Sequence, residues 1–207
     1  GDIPKHWKTY RLKLLLENHK QGFYTEDEYV EKGIKLLRIT DIDDHGNIRY
    51  DECPNVIISK KDQDIFSIEN NDFLFARSGT IGRFGLAKNP PDAVFASYLI
   101  RFRFKKIVPD FLKYSFLSNY FQEKLLSSLH GGANKNIHAE NIKEIVIAVP
   151  QLIEEQTQIS NFLNKETTKI YYLILKIELQ IKKLQEYRQS LISSAVTGKI
   201  EVRDAIA

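Results

Sequence analysis

Apolar residues recur along this chain in two rhythms, and the change between them falls at Pro150. Before that point the runs are short and broken by turn-forming residues. Residues 3–16 open with Ile-Pro and Trp7, then gather Leu12, Leu14, Leu15 and Leu16, which predicts an extended approach followed by a short strand. Trp7 is expected to anchor the core. Residues 33–42 read as a strand with Ile34, Leu36, Ile39 and Ile42 buried, running into the turn Asp43-Asp44-His45-Gly46-Asn47. Residues 50–59 and 72–77 are expected as further strands. Residues 93–104 carry Ile100, Phe102 and Phe104 against Arg101 and Arg103, the two-residue period of a half-buried strand. Residues 109–129 read as one or two amphipathic helices that start at Pro109 and end at His130-Gly131-Gly132. A polar loop, 133–138, then precedes a strand at 145–149.

After Pro150 the period becomes helical, and neither Gly nor Pro recurs until Gly198. Leu163, Ile170, Ile177, Leu184 and Leu191 fall at steps of seven, with Ile159, Ile174 and Ile181 adding a second row four residues along. This is the seam of a coiled coil. About 40 residues at ~1.5 Å per residue make a rod of ~60 Å, longer than the preceding domain is expected to cover, so the seam requires a partner. The expected fold is α+β: a mixed, β-rich domain over 1–150, followed over 151–207 by a long C-terminal helix that forms a coiled coil.

Composition adds little until the charge is divided. With 43% hydrophobic and 28% charged residues the chain is an ordinary globular one, and its formal net charge is +3. Residues 17–72, however, hold seven basic against fourteen acidic side chains, a net of −7, whereas residues 73–143 hold eleven against four, a net of +7. A cationic block interspersed with Ser, Asn, Tyr and Phe suits a polyanion groove, where cations displace counterions and polar groups reach base edges. The same charges scattered over a solvated surface would mean nothing of the kind. One cysteine, Cys53, permits no internal disulfide, and a reducing cytoplasm is the expected location. The chain lacks Met, which suggests that Gly1 is left by processing.

Enzymatic chemistry finds little support. Asn89-Pro90-Pro91-Asp92 is similar to the Asn-Pro-Pro-aromatic motif of amino-methyltransferases, but Asp92 stands where the base-stacking aromatic would be, so the tetrapeptide reads as a turn. Thr197-Gly198-Lys199 lacks the earlier glycine of a phosphate loop, since Ser193 sits there. The five histidines show neither ligand spacing nor a nucleophilic triad, and no metal or cofactor is expected. Gly79, Gly82 and Gly85 instead suggest a flexible turn whose backbone can approach a surface closely, carrying Arg77, Ser78, Thr80 and Arg83 as groups for phosphate and base contact.

Taken in order, several segments carry a family resemblance. They are Ile3-Pro4 with Trp7, Leu37-Arg38-Ile39-Thr40-Asp41-Ile42, Phe75-Ala76-Arg77-Ser78-Gly79 with Thr80-Ile81-Gly82, and Ala96-Ser97-Tyr98-Leu99-Ile100. Asn136 with Ile142, Pro150 with Glu155-Gln156, and the stretch from Tyr187 to Ile200 complete the series. In this order the chain resembles a specificity subunit of type I DNA restriction-modification systems, at half length. The resemblance implies a noncatalytic target recognition domain that reads one half of a split DNA site. It also implies a long helix that spaces the halves and docks methyltransferase subunits, with a restriction subunit as a further partner. A usual subunit has two recognition domains and two helices, so this chain is expected to form a homodimer through antiparallel helices, or to be a fragment of a longer two-domain subunit. A second loop for reading DNA is expected at Asn134, Lys135, Asn136 and His138, with Lys60, Lys61, Ser97 and Tyr98 as further candidates. The rival readings are an enzyme with a methyl-donor pocket and a coiled-coil adaptor that reads no DNA.

Overall fold

The computed structural model describes residues 3–24, 28–129 and 136–200, and the chain divides into two compact units, Gly1–Ser160 and Asn161–Ala207. The first unit is built on three small sheets. Strands β1 (Trp7–Arg11) and β9 (Val146–Pro150) pair antiparallel; β2 (Leu16–Gln21), β8 (Leu99–Phe104), β5 (Phe73–Ala76) and β6 (Phe84–Leu86) form a four-stranded sheet in that order. A third sheet places β3 (Ile34–Leu37) between β4 (Asn55–Val56), antiparallel, and β7 (Ala93–Phe95), parallel.

All four residues of β5 are buried because both faces of the strand are covered, which is why Phe-Leu-Phe-Ala shows no alternation. Phe73 and Phe75 point into a cluster with Phe84, Phe102, Phe116 and Phe121. Leu74 and Ala76, on the opposite face, join Leu37, Ile42, Phe95 and Leu99. Helices α3 (Pro109–Leu117) and α4 (Asn119–Ser127) deliver Phe116 and Phe121 to the first cluster, their rings 4.6 Å apart. Proline at the first position of α3 starts that helix where the sequence predicts it, and the Ser118 hydroxyl, which accepts from the Phe121 amide, starts the second.

Several expected strands take another form. Residues 93–104 are two strands in different sheets, β7 and β8, parted by a turn at Ala96 whose amide donates to the Leu37 carbonyl. Arg101 is buried rather than solvent-facing, because its guanidinium donates to the Ser67 carbonyl and lies over the Phe95 ring. Residues 50–59 contain only the two-residue β4 beyond a 3₁₀ turn at Tyr50–Glu52, and helix α2 (Lys60–Phe66) follows directly, capped by Ser59. Leu12–Leu15 form a single helical turn, α1, between β1 and an unanticipated β2. Ile39 lies in a 3₁₀ turn, Ile39–Asp41, beyond the end of β3.

Helix α6 runs over Ile153–Val196. Its first turns belong to the first unit, where Gln156, 2% exposed, accepts from the Val108 amide and donates to the Pro150 carbonyl. The Glu155 carboxylate accepts from the Trp7 indole at 2.9 Å and lies 3.0 Å from the His6 ring nitrogen. Trp7 is thus half-buried, edge-on to Phe111, and tied to α6 through its polar end. In the second unit the seam is open to solvent: Ile170, Ile174, Ile177, Ile181, Leu184 and Leu191 are all exposed, and Leu163 is half-buried. No helix among the described residues is long and apolar enough to cross a membrane.

Asp72, 1% exposed, sits at the other end of β5 from the turn at 77–83. Its carboxylate accepts from Arg103 Nε at 2.7 Å and from the Glu69 amide, also at 2.7 Å. Asp72→Ala should therefore leave Arg103, and Arg101 whose Nε lies 3.9 Å from the carboxylate, facing a vacated site and cost about 3–5 kcal/mol in urea unfolding. A loss under about 1 kcal/mol would show that Arg103 needs only Glu69.

Candidate nucleic-acid interface

The β5–β6 hairpin presents Arg77 to Arg83 at its tip. The Ala76 amide donates to the Arg83 carbonyl to close the hairpin, and Gly79 and Gly82 take φ of +84° and +82°, a region that suits glycine. Gly85, by contrast, lies inside β6 and is no part of the turn. Ser78, Gly79 and Thr80 are exposed.

Arg77 ties three separate segments together through its own peptide. Its amide donates to the Tyr98 carbonyl at 2.8 Å, and its carbonyl accepts from the Ile137 amide at 2.7 Å. Ser97 and Tyr98, in the turn between β7 and β8, are thereby brought beside Arg77. Asn136 and His138 follow, exposed on either side of the fully buried Ile137. His138 stands just before helix α5 (Ala139–Lys143), where its amide donates to the Asn141 side chain. Asn134 and Lys135 lie outside the described residues. Lys60 and Lys61 are exposed on the first turn of α2, Lys60 paired with Asp64, and no described hydrogen bond links them to the Arg77 turn.

The two arginines of the turn differ. Arg83 is committed to Asp44, and its Nε is buried without a partner among the described residues. No described carboxylate pairs with Arg77. Much of the cationic block is neutralised in the same way by the acidic segment before it: Arg103 pairs with Glu69 and Asp72, and Arg83 with Asp44. Within the block itself, Lys88 pairs with Asp110 and Lys143 with Glu140. The positive charge is therefore local rather than a continuous groove lining.

A neighbouring turn escaped the sequence reading. Arg38 chelates Asp41, 1% exposed, with Nη2 donating to Oδ1 at 2.7 Å and Nε to Oδ2 at 3.1 Å. This pairing holds the Arg38 guanidinium above its ordinary range despite some desolvation. Tyr29 lies against the same guanidinium, 5.8 Å from its ring centroid, and Arg49 donates to the Thr40 carbonyl at 2.6 Å. Thr40 is exposed, and Ile39 reaches to 3.9 Å from where a side chain on Gly79 would begin. The available signal was the three-residue interval from Arg38 to Asp41, which a 3₁₀ turn brings to one face. Burial beside Asp41 pushes the Cys53 thiol up to about 12, so it is not a nucleophile at neutral pH.

Comparison with known proteins accords with this arrangement. The family model described as the type I restriction modification DNA specificity domain matches residues 4–183. The MjaVIII type I restriction enzyme specificity subunit of Methanocaldococcus jannaschii is 27% identical over 214 residues, covering 99% of this chain and 48% of that protein. Two solved structures share the fold. The HsdS subunit from Thermoanaerobacter tengcongensis has a TM-score of 0.66 at 16% identity, over 97% of this chain and 47% of that one. The S subunit from M. genitalium has a TM-score of 0.55 at 20% identity, over 90% and 46%. A chain solved in work on complex assembly and conformational transition of the type I R-M system reaches a TM-score of 0.72 at 17% identity, over 94% and 47%. This chain thus spans about half the length of the relatives it matches, and it belongs to the type I restriction-modification DNA specificity family.

Proposed function

We propose that this chain is a noncatalytic DNA-reading unit of a type I restriction-modification system that recognises one half-site of a bipartite target. The observation that carries the reading is the meeting of three segments at the Arg77 peptide, which sets Arg77, Ser78, Thr80, Ser97, Tyr98, Asn136 and His138 along one edge of the first unit. These are hydrogen-bonding groups of the kinds that address base edges and phosphates. Asn134 and Lys135 adjoin them in sequence, and Lys60 and Lys61 remain candidates for peripheral phosphate contact. Arg83 acts through its hold on Asp44 more than by reaching outward.

The seam of half-buried Leu163 and exposed Ile170, Ile174, Ile177, Ile181, Leu184 and Leu191 supports pairing with a second helix. In a homodimer this is the same row of a second copy, running antiparallel across a two-fold axis. Methyltransferase subunits, and with them a restriction subunit, are proposed to dock on α6 and its tail. The reaction chemistry then lies in those partners, and the assembly works in the cytoplasm, where its DNA is. A second reading, that the chain is one half of a longer two-domain subunit, is favoured by its covering 48% of its curated relative.

Selection from random duplexes by the chain assembled with methyltransferase subunits should return an interrupted palindrome, because identical loops related by a two-fold read inverted half-sites. On the selected duplex Arg77→Ala should cost about 1–3 kcal/mol if it meets a base edge, and should weaken all duplexes alike if it meets phosphate. Absence of any selected sequence would favour the adaptor reading. Light scattering at micromolar concentration should give a dimer mass that Ile177→Glu reduces to a monomer, since an unpaired charge in an apolar seam costs several kcal/mol, of order 2 or more. A wild-type monomer that selects an asymmetric site would establish the half-subunit reading. Removing residues 194–207 should abolish methylation in the reconstituted mixture while leaving the domain's circular dichroism intact, and undiminished methylation would reject docking at the tail.

A further inference from the structure

The turn that carries Arg77, Ser78 and Thr80 is fastened at its far end by a residue forty positions along the chain. Gln122, half-buried on α4, donates through Nε2 to the Gly82 carbonyl at 3.3 Å and to the Phe116 carbonyl at 2.8 Å. Phe116 lies in the last turn of α3, where carbonyls lack partners within the helix, so one amide satisfies a helix end and a hairpin tip together. Gly82 makes the contact possible. A Cβ at that position would stand 2.1 Å from Gln122 Oε1, and the residue's φ is +82°. The adjacent Phe121 is fully buried against Phe116, which fixes the helical turn from which Gln122 reaches.

The near end of the turn is held at Arg77 by the Tyr98 carbonyl and the Ile137 amide, and the return strand is held at Arg83 by Asp44. Between these points, Ser78 to Ile81 form a short span with both ends fixed. Fixed ends set the direction of the Ser78 and Thr80 hydroxyls before any ligand arrives, and a preorganised donor discriminates between partners better than one that orders on binding.

We infer that Gln122 is a positioning residue for sequence discrimination: it touches no base or phosphate, and it acts by holding the Gly82 carbonyl so that the turn meets DNA in one geometry. The inference rests on the DNA-reading proposal above. A slack turn would still be drawn to any duplex by charge, so general affinity should survive where discrimination does not.

The test uses the full chain assembled with methyltransferase subunits, the duplex that the wild type selects, and a scrambled duplex of the same composition. Gln122→Leu and Gln122→Met keep most of the side chain's bulk, add no charge and lose the donor. For each, the ratio of affinities for selected over scrambled duplex should fall about tenfold, the size of one lost base-edge contact. Affinity for the scrambled duplex, its salt dependence and the melting temperature should stay near wild type. Gly82→Ala should reproduce the same loss by displacing the amide. An unchanged ratio in both Gln122 variants would overturn the inference. So would variants that melt early or lose both affinities together, because Gln122 would then be a folding residue only. A wild type with no preference would reject the DNA-reading proposal itself, and the inference with it.

Discussion

Strand β5 has to bury both of its faces at once, and the arrangement of the first unit follows from how that is done. Phe73 and Phe75 face a phenylalanine cluster closed by α3 and α4, while Leu74 and Ala76 face the cluster shared with β3 and β7. A four-residue strand covered on both sides leaves only its ends accessible, and the two ends are used differently. At Asp72 the backbone meets a buried carboxylate held by Arg103; at Arg77 it meets the turn. The rigid end and the exposed end are therefore about four residues apart, and the exposed one inherits the precision of the other.

Charge is distributed with similar economy. The acidic first third and the basic middle of the chain are complementary, and folding brings them together as Arg83 on Asp44 and Arg103 on Asp72 and Glu69. Five of the eleven basic side chains of that block, Arg83, Lys88, Arg101, Arg103 and Lys143, are paired with carboxylates among the described residues. Under the DNA-reading proposal such pairing favours discrimination, because long-range attraction to any duplex raises nonspecific binding as much as specific binding.

The elements that could be read directly from the sequence are those whose signals are local. The seven-residue seam announced α6, Pro109 marked the start of α3, and the turn at 43–47 is held by Asp43 accepting from the His45 and Asn47 amides. What escaped was set by distant partners. Arg101 keeps the period of a solvent-facing residue, but Ser67 and Phe95 make its burial tolerable; the break at Ala96 depends on the Leu37 carbonyl, which no pattern within 93–104 records. The site shows the same division. Glycines and polar residues identified the 77–83 turn, whereas its junction with Tyr98 and Ile137 rests on two backbone hydrogen bonds that any side chains would have permitted. The Arg38–Asp41 clamp had a local signature, and only its proximity to Gly79 gives it relevance.

The path of the first unit closes on itself. β1 lies antiparallel to β9 with Trp7 opposite Pro150, and Tyr10 donates to Gln151 just before α6 begins, so the polypeptide enters and leaves the domain at one corner. A body whose two chain ends lie side by side can be exchanged at two neighbouring points with little strain on what it is joined to.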